Sequence, residues 1–490
     1  MEQIGGKNLR NVSKAIFLNA IVCPALGWLM RSRYVSKTPT LGERFRMEQG
    51  IEIGRRAREL YPEAVLIDDS DIASASKKTK SLIDNSNIST ILEGAFLIDD
   101  FAAKADILKR KSDDGWHMIE VKSSVNDKAE FIDDMAYTAM VINRSGLNIS
   151  NISLMLVSKD FRLGMKNKDL FVEIDHTDEV LDRVEKFKPF WVPIEKITRK
   201  SVKPRSELRF ECRKCELFKE CLGRDIENHI FDIPRLSQSK FDKLTESGIV
   251  HIEDIPNGFP LTENQNRVKD CVQLKKPFVG NKLKNELECI SWPAFFLDFE
   301  TVATAIPLYP DIAPYTQIPT QFSIHKCSEP GHIIRHFQYL ADPSKDCRRE
   351  LTEYLINYLK GEGSIIVYTN FEKNIITRLR RVRPDLSEEL NLLINRLVDL
   401  HTIIRKNLYH PDFHGSISIK TVLLALVPDI SYDEMEIADG DSAMAAFAYL
   451  ALGKYENMEV ESIRNNLLEY CKQDTLAEVK LHQQLVEEYV

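Results

Sequence analysis

The stretch AKADILKRKSDDGWHMIEVKSS, residues 103–124, decides the fold of the front part of the chain. It divides into an apolar strand, a polar turn that carries Asp114-Gly115, and a second strand, which is the pattern of a β-hairpin. Glu120 and Lys122 are two residues apart on the second strand, so their side chains leave the same face. The pattern predicts that Asp106, on the first strand, faces them across the hairpin.

These three residues have the chemistry of a phosphodiester-cleaving site. Two carboxylates bind a hard divalent cation through oxygen, and such a cation lowers the pKa of water and stabilises charge that builds on a phosphate. The lysine can orient that water or hold the phosphate. The same spacing on an exposed strand usually means alternating surface charge. Here the neighbours are apolar, and buried acids of like charge need a cation or protons.

The hairpin and its surroundings resemble the core of the RecB-like PD-(D/E)XK nucleases, which have a restriction-endonuclease-like fold. The resemblance rests on AFLIDDFAAKADILKRKSDDGWHMIEVKSS, FIDDMAYTAMVINRSG and LMLVSKDF, residues 95–124, 131–146 and 154–161. It implies that Asp106, Glu120 and Lys122 are catalytic, and that the two acids bind Mg or Mn.

The same resemblance implies accessory positions at Glu93, Asp134 and Tyr137. Relatives often supply an upstream histidine to the metal. The matching stretch here, GIEIGRRAREL, has no histidine, and Glu52 is the substitute that it offers.

Four of the nine cysteines form a pattern, with Cys212, Cys215 and Cys221 in CRKCELFKEC and Cys23 in NAIVCPALGWL. RecB-like nucleases of the iron–sulfur subgroup place one cysteine before the core and three after it. This implies that the four cysteines ligate a [4Fe–4S] cluster that staples the two ends of the domain together. A tetrathiolate zinc site and four unrelated thiols are the alternatives. The odd total in a long chain argues against a secreted disulfide framework and favours the cytoplasm.

A second acidic pattern starts near residue 293. FFLDFET places Asp298 and Glu300 on one face of an apolar strand, where two acids are costly without a metal. EYCKQDT places Tyr470 and Asp474 four residues apart, on one side of a helix. Between them, VYTNFEKNIITRL contains Glu372.

These motifs resemble the DnaQ-like DEDD exonucleases of the tyrosine subclass, which have an RNase H-like fold. The resemblance implies a catalytic tyrosine, Tyr470, and two Mg or Mn ions about 4 Å apart. The implied metal-binding and catalytic acids are Asp298, which would bridge the two ions, Glu300, Glu372 and Asp474.

The second motif departs from the family pattern. The family reads N-x-x-F-D, whereas this chain reads Asn370-Phe371-Glu372, with glutamate in place of aspartate. Asp399, in LVDLHTII, is a further candidate ranked below Glu372. A structural RNase H-like domain without activity is the alternative.

The sequence therefore predicts an α/β protein in three parts. They are a PD-(D/E)XK nuclease with its cysteine cluster at 1–225, a helical connector at 226–290, and an RNase H-like domain at 291–490. In the connector, FDKLTESGIVHIEDIP predicts two short helices joined through Gly248, either as a simple connector or as a DNA-gripping helix-hairpin-helix unit. The whole chain resembles bacterial fusions of an iron–sulfur RecB-like nuclease with a DnaQ-like exonuclease domain.

The resemblance implies a metal-dependent DNA nuclease with two sites, acting exonucleolytically on single strands or ends in DNA repair or in defence against foreign DNA. A catalytically silent nucleic-acid-binding subunit with a helicase partner, and an RNA-directed nuclease, are the alternatives. No P-loop pattern occurs, so unwinding would need another protein.

Charge and hydropathy restrict the partners. The net charge of −8 gives no general attraction to nucleic acid. The most basic window, residues 186–219, is either a solvated surface or a phosphate-contacting one. The apolar stretch 15–30 contains Asn19 and Pro24 and falls short of the ~20 apolar residues of a membrane span. It predicts a buried helix and no membrane partner.

Overall fold

The computed structural model of the protein describes residues 9–32, 38–112, 115–432 and 434–490. The fold is mixed α/β, and the chain divides into two units. The first unit consists of Met1–Glu207 and Thr304–Thr316, and the second consists of Leu208–Ala303 and Gln317–Val490. Residues 208–225, which we predicted to end the first domain, and the predicted connector 226–290 thus belong to the second unit.

A six-stranded sheet with its strands in chain order forms the centre of the first unit. The pairs β1–β2 and β4–β5 are parallel, and the other neighbours are antiparallel. The strands are β1 Val65–Leu66, β2 Thr90–Ile98, β3 Phe101–Arg110, β4 Trp116–Lys122, β5 Ile149–Val157 and β6 Phe171–Asp175. The helices are α1 Lys14–Val22, α2 Pro24–Ser32, α3 Leu41–Arg58, α4 Ile72–Asp84, α5 Ala129–Arg144, α6 Thr177–Phe187 and α7 Trp191–Thr198.

The predicted hairpin is confirmed as β3 and β4, which pair antiparallel. Asp114, in its predicted turn, lies outside the described residues. Both faces of β4 are apolar: Trp116 and Met118 pack in the cluster that contains α5, and Ile119 packs in a second cluster on the other side. This two-sided burial holds β4, and with it the E-x-K pattern, in the middle of the sheet.

The prediction of one buried helix over 15–30 is wrong, because two helices, α1 and α2, meet at Cys23-Pro24. Proline lacks the N–H that would continue the first helix but suits the first position of the next one. The segment 304–316 packs in the first unit, where Ala305 is buried in an apolar cluster with Ile53 and Val157.

The second unit is built on a five-stranded sheet with the order β10-β9-β8-β11-β12. The central strand β8 is antiparallel to β9 and parallel to β11. The strands of the unit are β7 Phe278–Val279, β8 Ala294–Val302, β9 Ile318–Glu329, β10 His332–Leu340, β11 Ile365–Val367, β12 Leu397–Asp399 and β13 Leu408–Tyr409. Its helices are α8 Gln238–Glu246, α9 Glu263–Leu274, α10 Leu283–Glu288, α11 Arg348–Tyr358, α12 Phe371–Val382, α13 Ser387–Asn395, α14 Leu400–Asn407, α15 Ile419–Leu426, α16 Gly440–Ala451 and α17 Asn457–Tyr489.

One local prediction in the second unit needs correction. The second of the two helices predicted around Gly248 is a single 3-10 turn, Ile252–Asp254. Pro256 follows closely and disfavours helical backbone at the residue before it. None of the helices within the described ranges is both long enough and apolar enough to cross a membrane.

Candidate active sites

Strand β8 places the first two acids of the second unit. Asp298 and Glu300 are two residues apart on this central strand, so their side chains share a face of the sheet. Phe299, between the two acids, and Leu297, directly before Asp298, are buried. Because β8 is paired on both sides, the backbone that carries the two acids is held in place.

Helix α17 brings a third acid to the same place. One carboxylate oxygen each from Asp298, Glu300 and Asp474 lies within 4.8 Å of the other two. Across the described ranges, no other set of three acidic, histidine or cysteine side chains converges in this way. The hydroxyls of Tyr470 and Tyr432 both bond to Asp474, the latter at 2.7 Å from Oδ1.

A cleft of about 550 Å³ is lined by these three acids, by Tyr470 and by three further acids, of which Asp441 is exposed and Glu372 and Glu478 are buried. Glu372, on the first turn of α12, is 4% exposed, and its Oε2 accepts no hydrogen bond from any described residue. All four acids that the sequence pointed to here, and Tyr470, therefore line one cleft.

Glu478 is an acid of this cleft that sequence reasoning missed. It follows Asp474 by four residues on α17, so it lies on the same side of the helix. It is 2% exposed, and one side of its carboxyl receives a hydrogen bond from the backbone of Tyr368. Its Oε2 has no hydrogen-bond partner in the part of the chain that the structure describes. The i, i+4 spacing from Asp474 was a signal, but glutamate at that spacing is ordinary in an amphipathic helix.

Burial and mutual repulsion disfavour ionisation of this cluster. Burial, then the charge of Asp474, raises the pKa of Asp298 and of Glu300 well above the ordinary range. Burial raises the pKa of Glu372 to about 8. Burial also raises the pKa of Asp474 to about 6, although the hydrogen bonds of the two tyrosines oppose it. The acids are therefore poised to accept either protons or cations.

Asp399, the lower-ranked candidate, has a structural task. It is the N-cap of α14, and its oxygens accept hydrogen bonds from the backbone and the hydroxyl of Thr402 at 2.9 and 2.7 Å. It does not line the acidic cleft.

The first unit places Lys122 in contact with Glu120 on β4 and Asp106 on the neighbouring strand β3. Asp106 on β3 accepts a hydrogen bond from the backbone N–H of Val121 at 2.7 Å. Lys122 Nζ lies 3.0 Å from Glu120 Oε1 and 2.6 Å from Asp134 Oδ2. Burial, followed by the charge of Glu120, raises the pKa of Asp106 to about 8.

Lys14, at the start of α1, is a second lysine at this site that sequence reasoning missed. Its Nζ lies 3.2 Å from Glu120 Oε1 and 3.2 Å from Asp134 Oδ2. The two lysines therefore neutralise the acids that they contact, whereas Lys420, which lines the acidic cleft, donates to the backbone carbonyl of Ala438. Lys14 is 106 residues before Glu120, so no local pattern could have connected them.

The accessory positions of the first unit separate into different roles. Glu93 lines a cleft of about 420 Å³ together with Asp106 and forms an ion pair with Arg58 at 2.8 Å. Tyr137 is fully buried and donates its hydroxyl to backbone carbonyls, which is a packing role.

The suggestion that Glu52 replaces the family histidine is not supported by its position. Glu52 is ion-paired with Arg55 and Arg56, and the hydrogen bond from Arg55 lowers its pKa to about 2. The side of α3 that lines the cleft carries Met47, Gly50, Ile51 and Gly54 instead.

The four cysteines of the pattern divide between the two units, with one in the first and three in the second. Cys23 is the C-cap of α1 in the first unit and is half-buried. Cys212, Cys215 and Cys221 are half-buried in and beside two short turns of the second unit, Phe210–Lys214 and Lys219–Gly223. A zinc ion with Zn–S bonds of about 2.3 Å brings its sulfurs to within about 4 Å of one another. The three described thiols of 212–221 do not form so close a group.

Comparison with known proteins returns families without a stated function. The sequence model of a family described as "Domain of unknown function (DUF2779)" matches residues 295–418, which include Asp298, Glu300 and Glu372. Similar relatives include "Uncharacterized protein MG366" of Mycoplasma genitalium, 23% identical over 222 residues that cover 41% of this chain and 33% of the relative. The "Uncharacterized protein MG366 homolog" of Mycoplasma pneumoniae is 24% identical over 223 residues, with the same coverage of 41% and 33%. The match spans about a third of each relative's length.

Proposed function

We propose that the protein is a metal-dependent nuclease, a phosphodiester hydrolase whose main active site is the acidic cleft of the second unit. The observation that carries the proposal is the convergence of Asp298, Glu300 and Asp474 within 4.8 Å. Glu372 and Glu478 are buried in the same cleft, and one oxygen of each carboxyl has no hydrogen-bond partner among the described residues. Of the described residues that line the cleft, six are acids and one, Lys420, is a lysine or arginine. Buried carboxylates in this state are costly, and divalent cations would neutralise them.

The donor set fits Mg or Mn, because every candidate ligand is a carboxylate oxygen. The ligands would be Asp298, Glu300, Glu372 and Asp474. The cations would supply activated water and stabilise negative charge on the phosphate. Tyr470, which bonds to Asp474, would orient the attacking water, and Tyr432 would hold the Asp474 carboxylate in place. These roles support a DnaQ-like exonuclease on an RNase H-like fold.

A second site is favoured by a separate observation in the first unit. Asp106 and Glu120 lie on adjacent strands with Lys122 beside Glu120, and the pKa of Asp106 is raised by the charge of Glu120 as well as by burial. We propose that Asp106 and Glu120 bind Mg or Mn and that Lys122 holds the phosphate or the water, as in RecB-like PD-(D/E)XK nucleases. The iron–sulfur cluster stays a proposal from the cysteine pattern, with zinc as the alternative.

We propose DNA, as single strands or ends, for the substrate, and DNA repair or defence against foreign DNA in the cytoplasm for the setting. An RNA substrate, and a silent nucleic-acid-binding subunit that serves a helicase, are the alternatives. The sequence resemblance supports DNA as the substrate. The acidic cleft favours a catalytic protein over a catalytically silent binding subunit.

The decisive experiment compares cleavage of end-labelled single-stranded DNA and RNA by the purified protein, with Mg or Mn and with EDTA. The wild-type chain is compared with Asp298→Asn, with Glu120→Gln, and with Glu461→Gln, which changes an exposed acid of α17 as a matched control. We expect metal-dependent shortening that Asp298→Asn reduces to the share supplied by the first unit and that Glu461→Gln leaves unchanged. A protein that binds the strands but cleaves neither under any condition would establish the silent subunit instead.

A further inference from the structure

A second cleft of the second unit, of about 740 Å³, shares a wall residue with the acidic cleft but has the opposite charge. His401 lines both clefts, and the consecutive residues Ile417 and Ser418 line one each. Among the described residues on the wall of the second cleft, Glu263 is the single acid. The cations on its wall, which define what we call the basic cleft, are Arg235, Arg267, Arg405 and Lys406.

The charge of the basic cleft is available to a ligand. Arg235, Arg405 and Lys406 are exposed, and none of them forms an ion pair with an acid in the described ranges. Arg267 is fixed, because it donates to the backbone carbonyl of Lys406 at 3.0 Å and lies over the ring of Phe278 at 4.0 Å. Glu263 is a weak counter-charge, since it is 3.8 Å from Arg267 and its side chain is 95% exposed.

The wall that carries these cations is a connected structure. Gln265 on α9 is buried, donates to the carbonyl of Pro234 at 3.0 Å and accepts from Lys240 of α8 at 2.7 Å. Arg235, next to Pro234, has a φ of 51°, in the left-handed region that non-glycine residues rarely adopt. Strained backbone of this kind is found where the surrounding structure holds a side chain in place, often at binding sites.

We propose that the basic cleft binds the sugar–phosphate backbone of a single-stranded polynucleotide whose end lies in the acidic cleft. The proposal rests on the proposed nuclease function and names its substrate path. A polyanion is the partner that four cations against one highly exposed acid favour. A cleft of about 740 Å³ is the size of a small-molecule site, so it can take a few nucleotides of one strand but no section of duplex.

The wall chemistry predicts contact with the backbone rather than with bases. Tyr409 is buried, its hydroxyl accepting from the backbone of Gly415, and Phe278 is covered by Arg267. Neither ring is free to stack on a base, and arginine and lysine contacts to phosphate carry no sequence information. The cleft would therefore hold any sequence, as an exonuclease that works along a strand requires.

The test is a binding measurement that excludes cleavage. Fluorescence anisotropy of labelled oligothymidylate, oligouridylate and a DNA duplex of equal length is recorded in EDTA over a salt series. The test variant is Arg235→Gln/Arg405→Gln/Lys406→Gln. The control variant, Lys243→Gln/Lys360→Gln/Lys454→Gln, removes the same charge from exposed residues of the same unit that line neither cleft.

We expect the test variant to weaken single-strand binding at least about tenfold and to reduce the salt slope by about 2, or ~0.7 for each of three phosphate contacts. The control variant should bind like the wild type. The comparison of oligothymidylate with oligouridylate decides between DNA and RNA, and either preference fits the cleft. Equal loss in both variants, unchanged binding by the test variant, or duplex binding that depends on these cations as strongly would overturn the proposal.

The two proposals can fail separately. If the test variant alone loses binding but no metal-dependent cleavage is found, the binding cleft stands and the nuclease activity does not. If Asp298→Asn reduces cleavage while the test variant binds and cleaves like the wild type, the activity stands and the basic cleft is wrong. Should the triple variant fail to fold, the single variants Arg405→Gln and Lys406→Gln are each expected to reduce the slope by about 0.7.

Discussion

Replacing Glu372 by glutamine should stabilise the metal-free protein at neutral and alkaline pH. Burial raises the pKa of the Glu372 carboxyl to about 8, from an ordinary value of 4.5. For an acid whose pKa is higher in the folded state, ionisation opposes folding. The contribution of this group to the free energy of unfolding is therefore most favourable below pH 4.5, and it is lost progressively as the pH rises towards 8. Glutamine does not ionise, so this loss should disappear.

The size of the effect follows from the two pKa values. The gap between 4.5 and about 8, at ~1.4 kcal/mol per pH unit, amounts to about 5 kcal/mol above pH 8 and to about 3 kcal/mol at pH 7. The glutamine amide adds a buried N–H donor that needs a partner, and this reduces the gain in the free energy of unfolding by about 1 kcal/mol or more. A net gain of about 2 kcal/mol at pH 7 corresponds to a rise in Tm of about 4–8 °C for a unit of this size.

The assay is thermal unfolding of wild type, Glu372→Gln and the exposed-acid control Glu461→Gln, in EDTA, from pH 5 to pH 8.5. The Tm of the wild type should fall across this range relative to that of Glu372→Gln, and the two should converge at the acidic end. Saturating Mn should raise the Tm of the wild type at pH 8 more than that of the variant, because the variant has lost a ligand. A difference in Tm that stays constant with pH, or an equal response to Mn, would refute the assignment of Glu372 as a buried, metal-seeking carboxyl.

Three further outcomes test the two sites and the cysteine pattern. Tyr432→Phe should slow metal-dependent cleavage about tenfold, because Asp474 loses a hydrogen bond worth about 1–1.5 kcal/mol, and single-turnover rates at saturating Mg measure this. In the Asp298→Asn background, any residual metal-dependent cleavage should come from the first unit and should vanish on adding Lys122→Met, as end-labelled substrates on gels would reveal; residual cleavage that survives this change would contradict the first site. Anaerobically purified protein should carry about four irons and about four sulfides, a Cys215→Ser variant should carry fewer, and one equivalent of zinc instead would decide for the alternative.

The elements that the sequence predicted well are those that depend on local periodicity. Alternation along a strand placed Asp298 and Glu300 on one face of the sheet. The helical repeat placed Tyr470 and Asp474, four residues apart, on one side of α17. Both periods are set by backbone geometry alone. The hairpin of β3 and β4 was predictable for the same reason. That β8 and α17 meet was expected only from the family resemblance.

The contacts that sequence reasoning missed join residues far apart in the chain. Lys14 reaches Glu120 from α1, and Tyr432 reaches Asp474 from a segment without helix or strand. The position of Glu52 gives no support to its proposed role, for a geometric reason. The cleft-facing side of α3 repeats every three or four residues, through Met47, Gly50, Ile51 and Gly54, and Glu52 falls outside that repeat. The position of a residue in a family motif therefore does not tell which side of the helix its side chain occupies.

The two clefts of the second unit respond to different solution conditions because their charges differ in burial. The acids of the proposed metal site are buried or half-buried, so salt screens them little, and protons or bound cations would relieve their repulsion. Three of the four cations of the other cleft are exposed, so their attraction for a polyanion falls steeply with salt. A substrate phosphate is repelled by the acidic cleft until cations are bound, and the basic cleft would have to supply the binding energy before that. Salt should therefore change the affinity for single strands, whereas divalent metal should change the turnover rate. If salt alone or metal alone controlled both quantities, this division of charge between the two clefts would be wrong.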